Sequence, residues 1–198
     1  EIIKINSYSF SKCNKIKSIN FSKNSKLYII ESSAFSFSTL KEIQIPPSVT
    51  QIGENAFSRC KKLKKIEIPE NSSLKLISNF AFFGSSIESI NIPSSVTQIG
   101  DCAFSDCNNL KSVKFSNDSK LVSISKSTFI GSSIVSISIP PNVKLIDKLA
   151  FSACLNLHSI EFLGDVVSIE KSCFSRCKNF SLASFPNLKK MKISDKAF

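Results

Sequence analysis

Residues 45–60 read IPPSVTQIGENAFSRC, and residues 92–107 read IPSSVTQIGDCAFSDC. Laid over one another, the two stretches define a repeat of 47 residues, and self-similarity at such a fixed period is the signature of a repeat architecture. Its marker is a phenylalanine. Phe recurs at Phe10, Phe35, Phe57, Phe82, Phe104, Phe129, Phe151, Phe174 and Phe198, at intervals of 25, 22, 25, 22, 25, 22, 23 and 24. The alternation makes a pair of coils the true unit over most of the chain.

Five or six residues after each of the first eight anchors comes an apolar triplet spaced LxxIxI, for example Leu40, Ile43, Ile45, then Leu63, Ile66, Ile68, and finally Phe180, Ala183, Phe185. Alternation in the IxI part puts two apolar side chains on one face of an extended strand and the residue between them outside. A second apolar pair lies eight and five residues before the anchors, as in Val49 and Ile52 or Val96 and Ile99, so each coil has two apolar walls. Pro46, Pro69, Pro93 and Pro140 follow the first strand, where a missing N–H and a fixed φ end the ladder. Gly53 and Gly100 mark the next bend. The segment around Ala56, Phe57 and Cys60 has near-helical spacing over about one turn, which predicts a tight turn or a short 3₁₀ piece.

No coil of this length buries both walls alone, whereas stacked coils place Ile on Ile and Phe on Phe in continuous ladders. The expected fold is β-dominated: one right-handed solenoid domain over residues 1–198, of about eight coils of 22–25 residues, with its main parallel sheet concave. At ~4.8 Å per strand the rod would be roughly 40 Å long. Every anchor Phe is expected in the core except Phe198. Neither end carries a polar capping segment, which leads us to expect a piece of a longer array.

Composition narrows the function classes. The chain has 42% hydrophobic residues but no run near the ~18 that a spanning helix needs, so direct membrane insertion of this segment is not expected. The net charge of +11 comes from Lys almost alone, with Arg only at Arg59 and Arg176, no Trp, and only Tyr8 and Tyr28. That set lacks the Arg forks and exposed aromatic platforms of nucleic-acid recognition. A solvated Lys-rich surface fits better, with a protein or an acidic glycan on a cell surface or matrix as the partner class.

The pattern LxxIxIPxSVTxIGxxAFSxC resembles the BspA-like, or treponemal, class of leucine-rich repeats. The resemblance covers essentially the whole chain and is most specific in the coils of Phe57, Phe104 and Phe151. It implies a leucine-rich-repeat solenoid, display on a cell surface, and adhesion to host proteins or other cells, with an intracellular protein-interaction scaffold as the alternative use of the same surface.

Chemistry-bearing clusters are sparse. Metal binding needs Cys and His at short spacing, and the chain has one His and no CxxC, so neither a metal site nor another cofactor is expected. Cys13, Cys60, Cys107, Cys154 and Cys177 each sit three residues after an anchor, which predicts small core side chains in a ladder, most of them two coils apart. Cys154 and Cys177 are on successive coils and approach disulfide distance, although ladder side chains point alike. Cys173 is expected buried and Cys102 exposed. His158 has no orienting partner, and no catalytic residue is assigned.

The candidate binding surface is therefore the outward side of the first strand. The residue after its first apolar position is Lys17, Lys41, Lys64, Glu88, Lys111, Val135, His158 and Ser181. The residue between the last two is Asn20, Gln44, Glu67, Asn91, Lys114, Ser138, Glu161 and Ser184. From these we select Lys17, Lys41, Lys64, Lys111, Gln44, Glu67, Asn91, Lys114, His158 and Glu161. The four lysines recur at one repeat position and should form a basic edge. Four NxS/T sequons occur, and those of Asn71 and Asn117 fall in the longer connections.

Overall fold

The computed structural model describes residues 2–180, 192–194 and 196–198. Two rows of short parallel strands form the walls. The first wall contains β2 (Ser18–Ile19), β4 (Glu42–Gln44), β6 (Lys65–Glu67), β8 (Ser89–Ile92), β10 (Ser112–Phe115), β12 (Ser136–Ile139) and β14 (Ser159–Phe162). These are seven of the eight strands expected from the triplets. The eighth, with Ala183 and Phe185, lies outside the described residues, as do Ser181 and Ser184.

The second wall contains β1 (Lys4–Ile5), β3 (Ile29–Ile30), β5 (Gln51–Ile52), β7 (Leu76–Ile77), β9 (Gln98–Ile99), β11 (Ser123–Ile124), β13 (Leu145–Ile146), β15 (Ser168–Ile169) and β16 (Lys192–Ile193). Each strand pairs in parallel with its equivalent one coil away, in register: Ile43 opposes Ile66, and Ile52 opposes Ile77. The stack is a parallel solenoid of about eight turns.

Burial follows the alternation. Along β8, Ser89 and Asn91 are exposed while Ile90 and Ile92 are buried. Between the walls runs the anchor column. Rings from Phe10 to Phe174 stack one coil to the next with centroids 5.1–5.7 Å apart and planes within 17° of parallel. Phe35, Phe57, Phe82, Phe104, Phe129 and Phe151 have no exposed surface, whereas Phe10 and Phe198 at the two ends are only partly covered.

The anchor segment is a run of turns and contains no 3₁₀ helix. In the Phe35 coil, the N–H of Ala34 donates to Glu31, that of Ser36 to Ser33 and that of Ser38 to Phe35. Residues two before and two after the anchor have positive φ: Ser33 and Phe37, Asn55 and Arg59, Cys102 and Asp106. Only a four-residue turn with a left-handed third residue accommodates this sign change, and helical φ does not. The N–H groups of both flanking residues and of the anchor then donate to the next coil, as Ser33 to Glu54, Phe35 to Ala56 and Phe37 to Ser58. Left-handed φ costs about 1–2 kcal/mol per non-Gly residue. Interlocking hydrogen bonds on both sides hold each coil there.

The prolines act as expected, since β4, β6, β8 and β12 all end at or just before Pro46, Pro69, Pro93 and Pro140. Gly53 and Gly100 have a different role from turn-making. Neither has positive φ; a Cβ on Gly53 would lie 2.7–2.8 Å from the backbone of Ile30, Glu31 and Ser32 in the preceding coil. They permit close approach of one coil to another.

Candidate binding surface

The outward residues of the first wall form a grid in which backbone hydrogen bonds set the rows. The N–H of Lys41 donates to Lys17, Lys64 to Lys41, Glu88 to Lys64, Lys111 to Glu88, Val135 to Lys111 and His158 to Val135. All seven are exposed, so the four lysines do share one row. Glu88 does more than interrupt it, because its carboxylate lies 3.3 Å from Lys64 Nζ. Among the described residues no ion pair engages Lys17, Lys41 or Lys111, which leaves those three as the uncompensated charges of the edge.

A parallel row carries Asn20, Gln44, Glu67, Asn91, Lys114, Ser138 and Glu161, all exposed. Gln44 opposes Glu67 and Lys114 opposes Asn91; Ser138 Oγ donates to Glu161 Oε2 at 2.7 Å. His158 is a solvated residue directly before β14, and its Nδ1 lies 2.5 Å from the Asn156 carbonyl oxygen.

Between these rows runs a third that the sequence reading passed over: Ser18, Glu42, Lys65, Ser89, Ser112, Ser136 and Ser159. Strand alternation was the available signal, since Glu42 and Gln44 flank Ile43 and so share a side. The row changes character along the rod, charged at Glu42 and Lys65 and serine from Ser89 onward. Lys65 Nζ contacts Glu67 Oε1 at 2.6 Å, and this hydrogen bond, with the carboxylate charge, raises the Lys65 pKa.

The first three coils carry a groove of about 460 Å³ on this wall. Glu42, Gln44, Lys65 and Glu67 lie along it with Asn20 and Phe21, and Pro46, Pro47 and Pro69 bound one side. Gln44 and Glu67 of the expected set thus meet in one groove, while Lys114, His158 and Glu161 stand farther along the rod. Asn71 also lines the groove, and Asn117 is exposed at the equivalent connection.

The cysteines are structural. All seven are free thiols, Cys154 and Cys177 included. Cys60 Sγ donates to the Phe35 carbonyl at 3.0 Å, Cys107 to Phe82 at 3.0 Å and Cys154 to Phe129 at 3.1 Å. Burial pushes the Cys107 and Cys154 thiols up to about 12. Cys173 is fully buried, as expected. Cys102, expected to be an exposed thiol, is half-buried, and its thiol is raised by that burial. Among the described residues no group of three His, Cys, Asp or Glu is placed to hold a metal ion. No helix among them is long and apolar enough to cross a membrane.

Comparison with known proteins gives a consistent picture. The model of the BspA type leucine rich repeat region matches in six copies, over residues 1–111 and 75–198. A leucine-rich repeat protein from Bacteroides ovatus is 29% identical with a TM-score of 0.79, over 98% of this chain and 55% of that one. The Treponema pallidum leucine rich repeat protein is 26% identical with a TM-score of 0.77, over 91% of this chain and 86% of that one. The pneumococcal vaccine antigen PcpA is 27% identical with a TM-score of 0.66, over 91% of this chain and 53% of that one. The chain therefore spans about half the length of the Bacteroides and pneumococcal proteins. No curated protein matches it.

Proposed function

The chain belongs to the BspA-type leucine-rich-repeat family, and from that premise we propose that it is a non-catalytic adhesion module, displayed at the cell surface, that engages an acidic partner along its first wall. The observation that carries this reading is the grid of exposed side chains, held in rows by backbone hydrogen bonds, with Lys17, Lys41 and Lys111 uncompensated on one edge. The grid has no aromatic anchors of the kind that dominate tight interfaces. Affinity would therefore come from many weak contacts along the array. Surface display is supported by the similarity to PcpA, which is a pneumococcal vaccine antigen.

The test has two parts. Antibody raised to this domain should label intact cells, and labelling only after permeabilisation would overturn display. For the partner, Lys17→Ser, Lys41→Ser, Lys64→Ser and Lys111→Ser combined should leave the fold intact, since all four side chains are solvated. Adhesion to cells or to an acidic glycan, measured at two salt concentrations, should fall several-fold in the variant. It should also lose much of its salt dependence, because exposed charges act over a Debye length of ~8–10 Å. Equal binding by both proteins would remove the basic edge from the mechanism.

A further inference from the structure

The turn face of the first three coils carries a second feature, distinct from the strand wall. Tyr8 and Phe37 are 67% and 53% exposed, and both stand at left-handed positions, with φ of 62° and 58°. The fold does not require aromatics there. Equivalent positions elsewhere hold small or polar residues such as Ser33, Asn55, Gly84 and Asp106, and the two other large apolar residues there, Phe80 and Leu149, are half-buried. The coil imposes left-handed φ on every side chain at these positions, so it is the exposure of the two rings that points to function more than to folding.

The two rings flank a pocket of about 370 Å³, within the lower range of small-ligand sites. Its other walls are polar: Ser33, Asn55, Ser58 and Lys12. Among the described residues no hydrogen bond engages the side chains of Ser33, Asn55 or Ser58, and no ion pair engages Lys12. Phe37 is tied to its neighbours by Arg59, whose guanidinium stands 5.9 Å from its ring centroid and 5.1 Å from that of Phe83. A planar cation shared by two rings holds the aromatic wall in place.

We propose that this pocket binds an acidic pyranose, a uronic-acid type of sugar residue. The C–H faces of a pyranose ring stack on Tyr8 and Phe37, its hydroxyls exchange hydrogen bonds with Ser33, Asn55 and Ser58, and its carboxylate meets Lys12. An apolar peptide side chain would leave the hydroxyl and amide walls without partners, so the mixed lining favours a sugar. The net charge of +11 favours the acidic form.

The probe is a glucuronic-acid-containing disaccharide, compared with its neutral glucose counterpart, titrated by ligand-observed NMR. The acidic sugar should bind at least tenfold more tightly than the neutral one. Phe37→Gly is the decisive variant. It removes the ring while relieving the left-handed strain, so Tm should hold or rise while sugar binding is lost. Lys12→Ser should bring the acidic sugar down to the level of the neutral one, and Tyr8→Ala should weaken both. Undiminished binding in Phe37→Gly, or no saturation transfer from either disaccharide, would overturn the pocket. So would binding that is lost in the strand-wall quadruple lysine variant yet kept in Phe37→Gly.

Discussion

Replacing Phe104 by Ala tests the packing on which every other conclusion stands. Phe104 is fully buried and stacks on Phe82 at 5.3 Å and on Phe129 at 5.5 Å, with planes 1° and 9° from parallel. Deleting the ring removes its transfer free energy and leaves a hole between two rings that cannot close, since each is held by its own coil; such truncations cost about 3–5 kcal/mol. Phe10→Ala supplies the internal control. Its ring is only partly covered and stacks on Phe35 alone, so the expected loss is about 1–2 kcal/mol. In a urea titration with a slope of ~2–3 kcal/mol per molar, Phe104→Ala should lower the midpoint by about 1–2 M. Because each coil contacts only its neighbours, hydrogen exchange should quicken first in the coils of Phe82 and Phe129. A loss below about 1 kcal/mol, or one no larger than that of Phe10→Ala, would show that the column does not hold the coils together.

The left-handed positions make a paired prediction. Gly131 has φ of 71°, and a Cβ there would lie 2.8 Å from Asp106 Oδ1, so Gly131→Ala should destabilise by about 1–2 kcal/mol. Ala153→Gly, at φ of 56°, should stabilise by up to ~1 kcal/mol, since relief of the left-handed conformation exceeds the entropy Gly adds to the unfolded chain; urea midpoints that move in the same direction would contradict the pairing. The thiols predict a pH dependence. Cys107 ionises near 9.0 when unfolded and only at about 12 when folded. The stability gained by keeping it protonated is therefore complete below pH 9 and is lost as pH rises towards 12. Cys107→Ser should flatten this alkaline decline, and a variant that falls as steeply as the wild type would refute the burial argument.

The repeat period, both walls and the Phe column were legible because each depends on apolar residues at fixed spacing, which stacking converts directly into contact. The turn geometry was not. Left-handed φ usually announces itself through Gly or Asn, yet here Tyr8, Lys12, Phe37, Arg59 and Leu149 adopt it, because hydrogen bonds to the next coil impose it on any side chain. Among the described residues, Asn55 and Asp106 are the only non-Gly ones at these positions with the expected preference. The row of outward residues was legible for the same reason as the core, and backbone hydrogen bonds between coils align it. What the row lacked in the sequence was its neighbours: Glu88 closing on Lys64, and Glu42 and Lys65 beside Gln44, become visible only when coils 22–25 residues apart are laid side by side. The aromatic pocket combines residues of three coils at the positions two before, one after and two after the anchor, and those positions carry no constant residue type from which the sequence could announce it.

The alternation of 25- and 22-residue intervals corresponds to two kinds of contact between coils. Across the 22-residue intervals both walls are continuous: β4 with β6, β8 with β10, β12 with β14, and likewise β3 with β5, β7 with β9, β11 with β13. These same interfaces carry a buried polar knot. Cys60, Cys107 and Cys154 each donate to the previous anchor's carbonyl and lie 3.3–3.5 Å from Ser38, Ser85 and Ser132. That carbonyl already accepts the N–H three residues on, so the thiol fills its second lone pair. Across the 25-residue intervals the strand ladder is interrupted between β6 and β8, β10 and β12, and β9 and β11, and kept between β1 and β3, β2 and β4, and β5 and β7. The Phe column ignores the difference, with centroid spacings of 5.1–5.5 Å on both kinds of interface. An apolar spine of uniform spacing thus runs through coils that backbone hydrogen bonds join at both kinds of interface, Phe57 to Ala81 as well as Phe35 to Ala56. Cys and Ser alternate from Cys13 to Cys154, and the pair that shares the knot is the 47-residue unit visible in the repeat; beyond it Cys177 follows Cys154 directly and donates to the Phe151 carbonyl at 3.1 Å.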